Sequence, residues 1–311
     1  MTKLSFIKKT KYFLEFVPLY AGVFLFSLLP WKAAIGFGCF AGRMASYLVS
    51  KRFKLTIDNL TRAFPEKSPA EIEAIARDSW ENIGRIAAEF LKLSESKAAT
   101  LAHCRVENDG ELKKWLATGK GALLHSAHIT NWEAGSLIMS AAGYNFSALS
   151  RITRNPFVEN FLFKRRTKFG THLISHRQPF FACVKALKKG RALTILMDQN
   201  MPAGDLFLPV FNRVCAVTPI TALLSLKTGT PVFPARLYRD GHGVIVAQYE
   251  PAIFPPEHYS EEGVLELVNR LNAATERWIR AEPAMWLWSH NRWKRENDPK
   301  RFAKKEETEI A

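Results

Sequence analysis

The segment from His125 to Glu133 contains the residue types that can remove a proton from a hydroxyl group. His128 and Glu133 stand five residues apart, after a short apolar run and at the start of a segment with helical character that ends at Gly143. This pattern predicts a strand-to-helix turn on which Glu133 orients the imidazole of His128, as in a base for acyl transfer to a hydroxyl. With 8 histidines and 29 acidic residues in 311, the spacing arises about once by chance, so its context must decide.

The same turn has a second interpretation as a metal site. His125 and His128, together with Glu133, offer ligands for zinc, but the sequence lacks further convincing ligands and we expect no metal. We expect His125 to be a structural neighbour rather than a catalyst. The cysteines are widely spaced without a CxxC pair, which fits a reducing compartment and gives no sign of a disulfide framework.

The elements that position this turn follow a regular alternation after Gly121. Short apolar runs predict strands, and the amphipathic segments between them end at glycines, as helices commonly do. This alternation predicts an α/β domain with a central, largely parallel or mixed sheet flanked by helices. The predicted strands are Ala122–His125, Phe146–Ser150, Thr171–Ile174, Ala192–Met197, Val232–Leu237 and Val244–Tyr249, and the helix-ending glycines are Gly143, Gly170, Gly190 and Gly229.

Two helices are predicted with more detail. Ser68, Pro69 and Glu71 form a capping pattern, with proline at the first helical position and glutamate at the third. A late helix is predicted from about Glu261 to Arg280. No internal repeat or low-complexity linker interrupts the chain.

The N-terminal region predicts a membrane anchor over residues 1–50, followed by one α/β catalytic domain over residues 51–311. Several lysines precede an apolar stretch from Tyr12 to Leu29, and a second apolar, glycine-rich stretch runs from Ala33 to Val49. A spanning helix needs about 20 mostly apolar residues, so the first stretch is barely sufficient. We expect a retained anchor that spans the membrane or lies in its interface, with its lysines on the cytoplasmic side. The alternative is a buried hairpin of a soluble protein.

The formal net charge of +15 is concentrated in two regions. Between Arg151 and Arg191 the sequence has eleven Lys or Arg and a single acidic residue, Glu159. Such a cluster suits an anionic partner, such as nucleic acid, a phospholipid headgroup, a phosphorylated substrate or an acidic carrier protein. A solvated basic face without a particular ligand is the alternative. The second cluster closes the chain: Arg292, Lys294, Arg295, Lys300, Arg301, Lys304 and Lys305.

Several blocks of the sequence, in order, resemble the bacterial lipid A biosynthesis acyltransferases, the late or secondary enzymes that add lauroyl or myristoyl chains. The family's H-x-G-N-W-E motif is similar to the segment from His128 to Glu133, with Thr130 in place of the glycine. Further similar blocks are Asn155-Pro156 with Arg166 and Gly170, Asp198-Gln199-Asn200 before Pro209-Val210-Phe211, Thr218-Pro219 through Val232, and Trp286 to Lys294. The tryptophans of the last block are either core residues or interfacial anchors.

The resemblance implies a membrane-bound acyltransferase with a glycerolipid-acyltransferase-like domain. It would move a fatty acyl chain from a thioester carrier, acyl carrier protein or CoA, to a hydroxyl of an anionic lipid A precursor. It implies the bacterial inner membrane as location, with the active domain on the cytoplasmic side. This chemistry requires no metal or redox cofactor, and we expect no nucleic-acid partner.

The resemblance also implies roles for individual residues. His128 would be the base and Glu133 its orienting partner, while Arg166 would stabilise an oxyanion or bind a substrate phosphate. Asp198, at a strand's end, is the weaker catalytic candidate and could instead be structural. Substrate contacts are expected from Asn131 and from basic residues that suit phosphates or an acidic carrier: Arg151, Arg154, Arg165 and Lys168.

Two alternative functions remain open. One is the same chemistry on another glycolipid or a phospholipid, with acyl-CoA as donor. The other is a non-enzymatic basic protein that binds nucleic acid or an anionic membrane. The second explains the charge but not the histidine–glutamate turn, and aromatic residues are not interleaved with the basic clusters as base stacking would need.

Overall fold

A β-sheet lies between two layers of helices in the computed structural model, which describes residues 6–176, 179–200 and 206–296. Within these residues seven strands form one sheet in the order β1-β9-β8-β2-β5-β3-β4, and β6 pairs with β7 apart from it. The strands are β1 Cys104–Glu107, β2 Ala122–Ser126, β3 Phe146–Ser150, β4 His172–Ser175, β5 Ala192–Leu196, β6 Leu206–Val210, β7 Arg213–Val217, β8 Val232–Arg239 and β9 Ile245–Tyr249.

The helices connect the strands and precede the sheet. Those before β1 are α1 Phe6–Ser27, α2 Trp31–Leu48, α3 Ser50–Ala63, α4 Pro69–Leu93 and α5 Lys97–His103. Those within the α/β region are α6 Gly110–Ala117, α7 Trp132–Ala141, α8 Pro156–Thr167, α9 Pro179–Lys188, α10 Ile220–Thr228 and α11 Glu261–Ala281, with a short 3-10 turn at Pro283–Met285.

The predicted mixed α/β sheet is confirmed, and the strands agree with the predicted ones to within one or two residues at each end. β9 runs antiparallel to β8, whereas the other neighbouring strands of the large sheet are parallel. Three strands were not predicted. β1 is only four residues long, and the β6–β7 pair contains a proline, which lowers the strand signal.

Local sequence signals account for the helix ends. The Ser68 side chain accepts a hydrogen bond from the Glu71 amide, and Glu71 accepts one from the Ser68 amide, so the predicted capping box is present. α11 begins and ends within a residue of its predicted bounds. Each of the four predicted helix-ending glycines has a positive φ, between 64° and 104°, which glycine adopts without a steric cost.

The core divides along the two faces of the sheet because alternate residues of a strand point to opposite faces. Leu123 belongs to the larger cluster, with residues of α9, α10 and α11. Leu124, the next residue, packs with Met139 of α7 and Leu112 of α6. Each strand of this region is therefore covered on both sides, which explains its continuous apolar character.

The glycine-rich stretch predicted as membrane anchor packs on the protein itself. α2 crosses α4 at Gly38, Gly42 and Gly84, and a Cβ at any of these three positions would collide with backbone of the other helix or, at Gly38, also with Ala88. The glycines therefore allow a close approach of two helices. Other residues of α1 and α2 present exposed apolar side chains, which we call the apolar face: Phe13, Leu14, Val17, Tyr20, Phe24, Leu25, Phe37, Phe40, Met44 and Tyr47.

Of the two forms expected for the anchor, a helix that spans the membrane is not found among the described residues. None of their helices combines the length and the apolar character needed to cross a membrane. α1 has 22 residues, but it includes charged side chains and Pro18. Lys3 and the basic residues from Lys300 onward lie outside the described residues.

Candidate active site

His128 and Asp198 are brought together by the register of two neighbouring parallel strands. Ser126 at the end of β2 pairs with Leu196 at the end of β5. His128 and Asp198 each follow their strand end by two residues, so they lie side by side at the carboxyl edge of the sheet. The Nδ1 atom of His128 is 2.8 Å from Oδ1 of Asp198, and the backbone amide of His128 donates to Oδ2 at 2.9 Å.

Asp198 is held as an ionised acceptor. Its side chain is buried, and Oδ2 also accepts a hydrogen bond from Nε1 of Trp286 at 2.7 Å. Burial alone would raise the pKa of Asp198, but the adjacent His128 and the hydrogen bonds from His128 and Trp286 outweigh it, so the pKa lies well below its usual value. An ionised carboxylate only accepts hydrogen bonds, so in the neutral imidazole it is Nδ1 that carries the proton and Nε2 that holds the lone pair a general base needs.

The partner of Glu133 corrects one expectation. Glu133 was expected to orient His128, but its carboxylate instead faces the guanidinium of Arg166. Nε of Arg166 donates to Oε2 of Glu133 at 2.8 Å, and Nη2 donates to Oε1. Arg166 also donates from Nη1 to Ser150 Oγ at 3.2 Å. Burial alone would lower the pKa of Arg166, but the paired carboxylate outweighs it and raises the pKa, so the guanidinium stays charged.

Two residues between His128 and Glu133, Thr130 and Asn131, have structural roles. Asn131 was expected to contact substrate, but it is fully buried and its Oδ1 caps α7 through the amide of Ala134 at 2.9 Å. Thr130 has φ +50°, a left-handed conformation that is unusual for a β-branched residue. This conformation explains why a glycine suits the position in the resembling motif.

A short antiparallel bridge fixes the backbone around His128. The amide of Thr130 donates to the Met285 carbonyl at 2.8 Å, and the amide of Leu287 donates to the His128 carbonyl at 3.2 Å. This bridge pairs Ile129 with Trp286, whose indole contacts Asp198. The same segment therefore holds the backbone of His128 and the carboxylate that binds its ring.

The C-terminal tryptophans are core residues in this structure. Trp286, Trp288 and Trp293 are buried, and their rings pack against each other and against Phe211. Trp286 was not predicted to be a site residue, although it belongs to the block from Trp286 to Lys294. Its role could not be recognised because an indole donor has no characteristic spacing from the acid it contacts.

A cavity of about 290 Å³ lies beside both pairs. His128, Glu133 and Arg166 contribute to its wall, and the remaining wall is mainly apolar. The strands contribute alternate residues, and α7 contributes residues at helical spacing. The lining includes Leu124 and Ser126 from β2, Ala148 from β3, Thr194 and Leu196 from β5, Ala235 and Leu237 from β8, Ala247 and Tyr249 from β9, and Trp132, Gly135, Ser136 and Met139 from α7.

The cavity reaches from the carboxyl edge of the sheet into the domain. Leu124 precedes His128 by four residues along the chain, which corresponds to roughly 13 Å at the rise of a strand. Beyond Leu124, Phe146 lies level with the first residues of β2 and β5. At this inner part, the hydroxyl of Tyr249 contacts the sulfur of Met139 at 3.1 Å. The space therefore extends inward from His128, with charged groups near His128 and mainly apolar groups inside.

The basic residues expected to bind substrate are separated by the fold. Arg151 is exposed and lines the cavity, and Arg154 is also exposed. Arg165 instead donates to the Leu91 carbonyl at 3.0 Å and to Ser94, at the end of α4, so its side chain has a structural partner. Lys168 donates to the Glu95 carbonyl at 2.6 Å. Only Arg151 of this expected set lines the cavity.

Two further predictions concern His125 and Arg292. His125 lies in the core, where Nε2 contacts Thr275 Oγ1 at 2.9 Å, and burial lowers its pKa to about 4. This agrees with a structural neighbour. Arg292 was counted in the basic cluster that closes the chain, but it is buried and donates to the carbonyls of Gln199 and Ala216 at 3.0 and 2.6 Å. The Arg292 side chain therefore stabilises the backbone at Gln199, next to Asp198, and is not available at the surface for an anionic partner.

The mixed sheet, the histidine–carboxylate pair and the cavity form one candidate site, and comparison with known proteins identifies the family of the chain. The model of the family described as bacterial lipid A biosynthesis acyltransferase matches residues 2–295. The chain belongs to this family, and it is an acyltransferase of the lipid A or glycolipid type.

The chain is similar to several characterised relatives at low identity. The lipid A biosynthesis lauroyltransferase of Escherichia coli (strain K12) is 24% identical over 284 residues, covering 86% of this chain and 87% of the relative. The phosphatidylinositol mannoside acyltransferase of Mycobacterium tuberculosis (strain CDC 1551 / Oshkosh) is 21% identical and covers 76% and 75%. The solved 1-acyl-sn-glycerophosphate (LPA) acyltransferase of Thermotoga maritima has a TM-score of 0.38 and 13% identity, over 79% of this chain and 99% of that one.

Proposed function

We propose that this protein transfers a fatty acyl chain from an acyl carrier protein thioester to a hydroxyl of a lipid A precursor, with His128 as general base. The observation that carries the proposal is the hydrogen bond from His128 Nδ1 to the buried Asp198, beside a cavity whose inner wall is mainly apolar. The bond leaves Nε2 as the proton acceptor. Asp198 thereby takes the orienting role first expected of Glu133.

The reaction follows from these positions. Nε2 of His128 takes the hydroxyl proton while the hydroxyl oxygen attacks the thioester carbonyl carbon, forming a C–O bond. The C–S bond then breaks, and the departing thiolate takes the proton from the imidazolium. Asp198 stabilises the imidazolium between these steps.

Arg166 is the residue proposed to meet negative charge. Its guanidinium lies on the cavity wall and stays charged beside Glu133. It would stabilise the oxyanion of the thioester carbonyl or bind a phosphate of the acceptor. Glu133 would keep the planar guanidinium in a fixed orientation, since a bidentate pair restricts rotation. Arg151, exposed beside the same cavity, would add attraction for an anionic substrate.

The cavity is proposed to hold the acyl chain. Its inner wall is mainly apolar, which suits a flexible hydrocarbon chain. The thioester carbonyl would lie near His128, with the end of the chain toward Phe146 and Tyr249. The size of these inner residues would then influence which chain lengths are accepted.

The apolar face of α1 and α2 is proposed to lie in a membrane interface. Many exposed aromatic and aliphatic side chains on two consecutive helices are typical of membrane-contacting surfaces. Lys8, Lys9 and Lys11 are exposed at the start of α1 and would attract anionic headgroups. We propose that the site thus faces lipid substrates at the cytoplasmic side of a bacterial inner membrane.

A second acceptor class is supported by one comparison. The similarity to a phosphatidylinositol mannoside acyltransferase favours another glycolipid as the alternative acceptor. Acyl-CoA is the donor that we propose for this alternative. The two alternatives share the base, the cavity and the thioester chemistry. They differ in the acceptor and in the carrier.

The test is acyl transfer by the purified full-length protein in detergent. Thioesters of acyl carrier protein and of CoA would each be combined with a lipid A precursor or with a phosphatidylinositol mannoside, and products measured by mass spectrometry. We expect an added acyl chain on the lipid A precursor with the carrier-protein thioester. Transfer only to the other acceptor would favour the second candidate. No added chain in any combination, where a known family member works, contradicts both.

A further inference from the structure

A buried ion pair lies behind the turn that carries His128. Glu89 on α4 is completely buried, and Arg239 at the end of β8 is nearly so. Nε of Arg239 donates to Oε1 of Glu89 at 2.9 Å, and Nη2 donates to Oε2 at 2.7 Å. Burial alone would raise the pKa of Glu89, but the bonds and charge of Arg239 outweigh it and the pKa is lowered, so the pair is ionised.

This pair reaches the turn through two asparagines. Oε2 of Glu89 accepts a hydrogen bond at 2.8 Å from Nδ2 of Asn131, whose other side-chain atom caps α7. Nη1 of Arg239 donates to Oδ1 of Asn82 at 2.9 Å. Nδ2 of Asn82 in turn donates to the carbonyls of Thr130 and Met285, both at 3.3 Å. Thus both ends of the ion pair connect to residues that follow His128 directly.

The turn needs such support because Thr130 is in an unfavourable conformation. A left-handed φ is costly for a β-branched residue, and it persists only where surrounding contacts over-determine it. The hydroxyl of Thr130 donates to the Leu237 carbonyl at 2.7 Å, two residues before Arg239 on β8. α4 and β8 therefore hold the turn from two sides, and a relaxed Thr130 would rotate the backbone that carries His128.

We propose that Glu89 and Arg239 are positioning residues that keep the His128–Asn131 turn in its left-handed form and so keep the imidazole against Asp198. Among the described residues that line the cavity, neither member of the pair is present, so they act through the turn and not on substrate. The proposal rests on the proposed function of His128, but its geometric part does not need a substrate to be tested.

The first measurement is the Nδ1–H signal of His128 in the 15N-histidine NMR spectrum of the full-length protein, assigned by its loss in His128→Gln. A proton held by a buried carboxylate is protected from exchange and shifted downfield. Glu89→Gln keeps the shape of the side chain but removes the negative charge that binds Arg239 and, at Oε1, also Arg85 at 2.8 Å. We expect this variant to lose or broaden the signal and, in the transfer assay, to lower kcat on the order of 10²-fold with an unchanged KM, because misplacement of a catalytic group lowers turnover.

The decisive variant is the double substitution Glu89→Gln with Thr130→Gly. Glycine adopts a positive φ without the steric cost, and this gain should offset the loss of both the ion pair and the Thr130 hydroxyl bond to Leu237. We expect the double variant to regain the Nδ1–H signal and most of the lost kcat. Glu73→Gln, on the exposed side of α4 where it pairs with Arg77, is the matched control and should leave both readouts unchanged.

Three outcomes would overturn the proposal. The first is a Glu89→Gln protein with the wild-type signal. The second is a loss of rate that equals the loss of folded protein measured by thermal unfolding, with a normal signal in the folded fraction. The third is a double variant that folds but regains neither readout. If no protein transfers an acyl chain while the signal responds as expected, the proposed reaction fails and the positioning role stands.

Discussion

Two pairs of a carboxylate and a basic side chain lie beside the cavity, Glu133 with Arg166 and His128 with Asp198. They differ in how the fold brings their members together, and this difference separates their proposed roles. Glu133 lies on α7 and Arg166 on the next helix, α8, and their side chains form a bidentate contact. His128 and Asp198 are 70 residues apart and meet because β2 and β5 are adjacent and in register. The histidine therefore takes its carboxylate from the neighbouring strand, although an acid lies five residues away in its own motif.

Each of the two basic side chains has its own carboxylate: Asp198 binds His128, and Glu133 binds Arg166. Asp198 is buried and fixed by a tryptophan and a backbone amide, which suits orientation of an imidazole. Glu133 is partly open to the cavity with Arg166, which suits contact with a charged substrate or an oxyanion. Variants at each pair should therefore give different kinetic and spectroscopic responses.

The largest expected effect is that of removing the base. His128→Ala should lower kcat by about 10²- to 10⁴-fold, because general-base catalysis contributes this much to such reactions. Initial rates of acyl transfer with saturating donor measure it. A His128→Ala protein with the wild-type rate would contradict the assigned roles, because His128 would then not be the general base.

Replacing Arg166 tests the other pair. Arg166→Lys keeps the charge but loses the bidentate contact with Glu133, and should lower kcat/KM by roughly 10- to 100-fold, in line with the value of hydrogen bonds to charged groups. The Nδ1–H signal of His128 should stay unchanged. A shifted signal would show that the two pairs are one network. Lys164→Ala, an exposed basic residue on the same helix, serves as the control for charge alone.

The cavity that both pairs share gives a smaller and more selective effect. Ala148 on β3 lies level with Leu124, in the inner part of the cavity, so Ala148→Leu should shorten the space for an acyl chain. We expect selectivity to shift toward shorter donors by about 10-fold, as one or a few methylenes typically allow. Competition between thioesters of different lengths measures the shift. Ala98→Leu, the same change at an exposed position of α5, should leave the preference unaltered.

The smallest expected effect is on how the free energy of unfolding depends on pH, and it comes from Asp198. Its folded pKa lies below the unfolded value of about 3.9, so the ionised group stabilises the fold above that pH and this contribution is lost as pH falls through the folded pKa. At pH 7, Asp198→Asn should lower the free energy of unfolding by about 1–3 kcal/mol. The gap between the wild type and the variant should narrow progressively below about pH 4. Urea unfolding at several pH values measures the gap, and a constant gap would contradict the assignment.

The elements of the sheet around the site were predictable because their signals are local. The run from Ala122 to His125 is apolar and bounded by Gly121, and Gly143 marks the end of the helix that follows. These features predict the turn that carries His128, and the structure contains it. Asp198 was also expected at a strand's end.

The pairing of these elements could not be predicted from the sequence. Whether His128 contacts Asp198 or Glu133 depends on which strands are neighbours and on their register. The sequence of a single strand determines neither the strand order nor the register. Asn131 shows the same limit, because its motif position does not reveal that Glu89 binds it from another helix. The glycines of α2 were interpreted as part of an anchor because an apolar helix that packs on a neighbour has the same composition.

The assignment of the base partner can be tested most directly by comparing two isosteric variants, Asp198→Asn and Glu133→Gln, for kcat and for the Nδ1–H signal of His128. The account predicts that Asp198→Asn loses the signal and lowers kcat by about 10²- to 10⁴-fold, because the amide no longer fixes the productive tautomer. It predicts that Glu133→Gln keeps the signal. Loss of the signal in Glu133→Gln with its retention in Asp198→Asn would contradict the central claim that Asp198 holds the catalytic histidine.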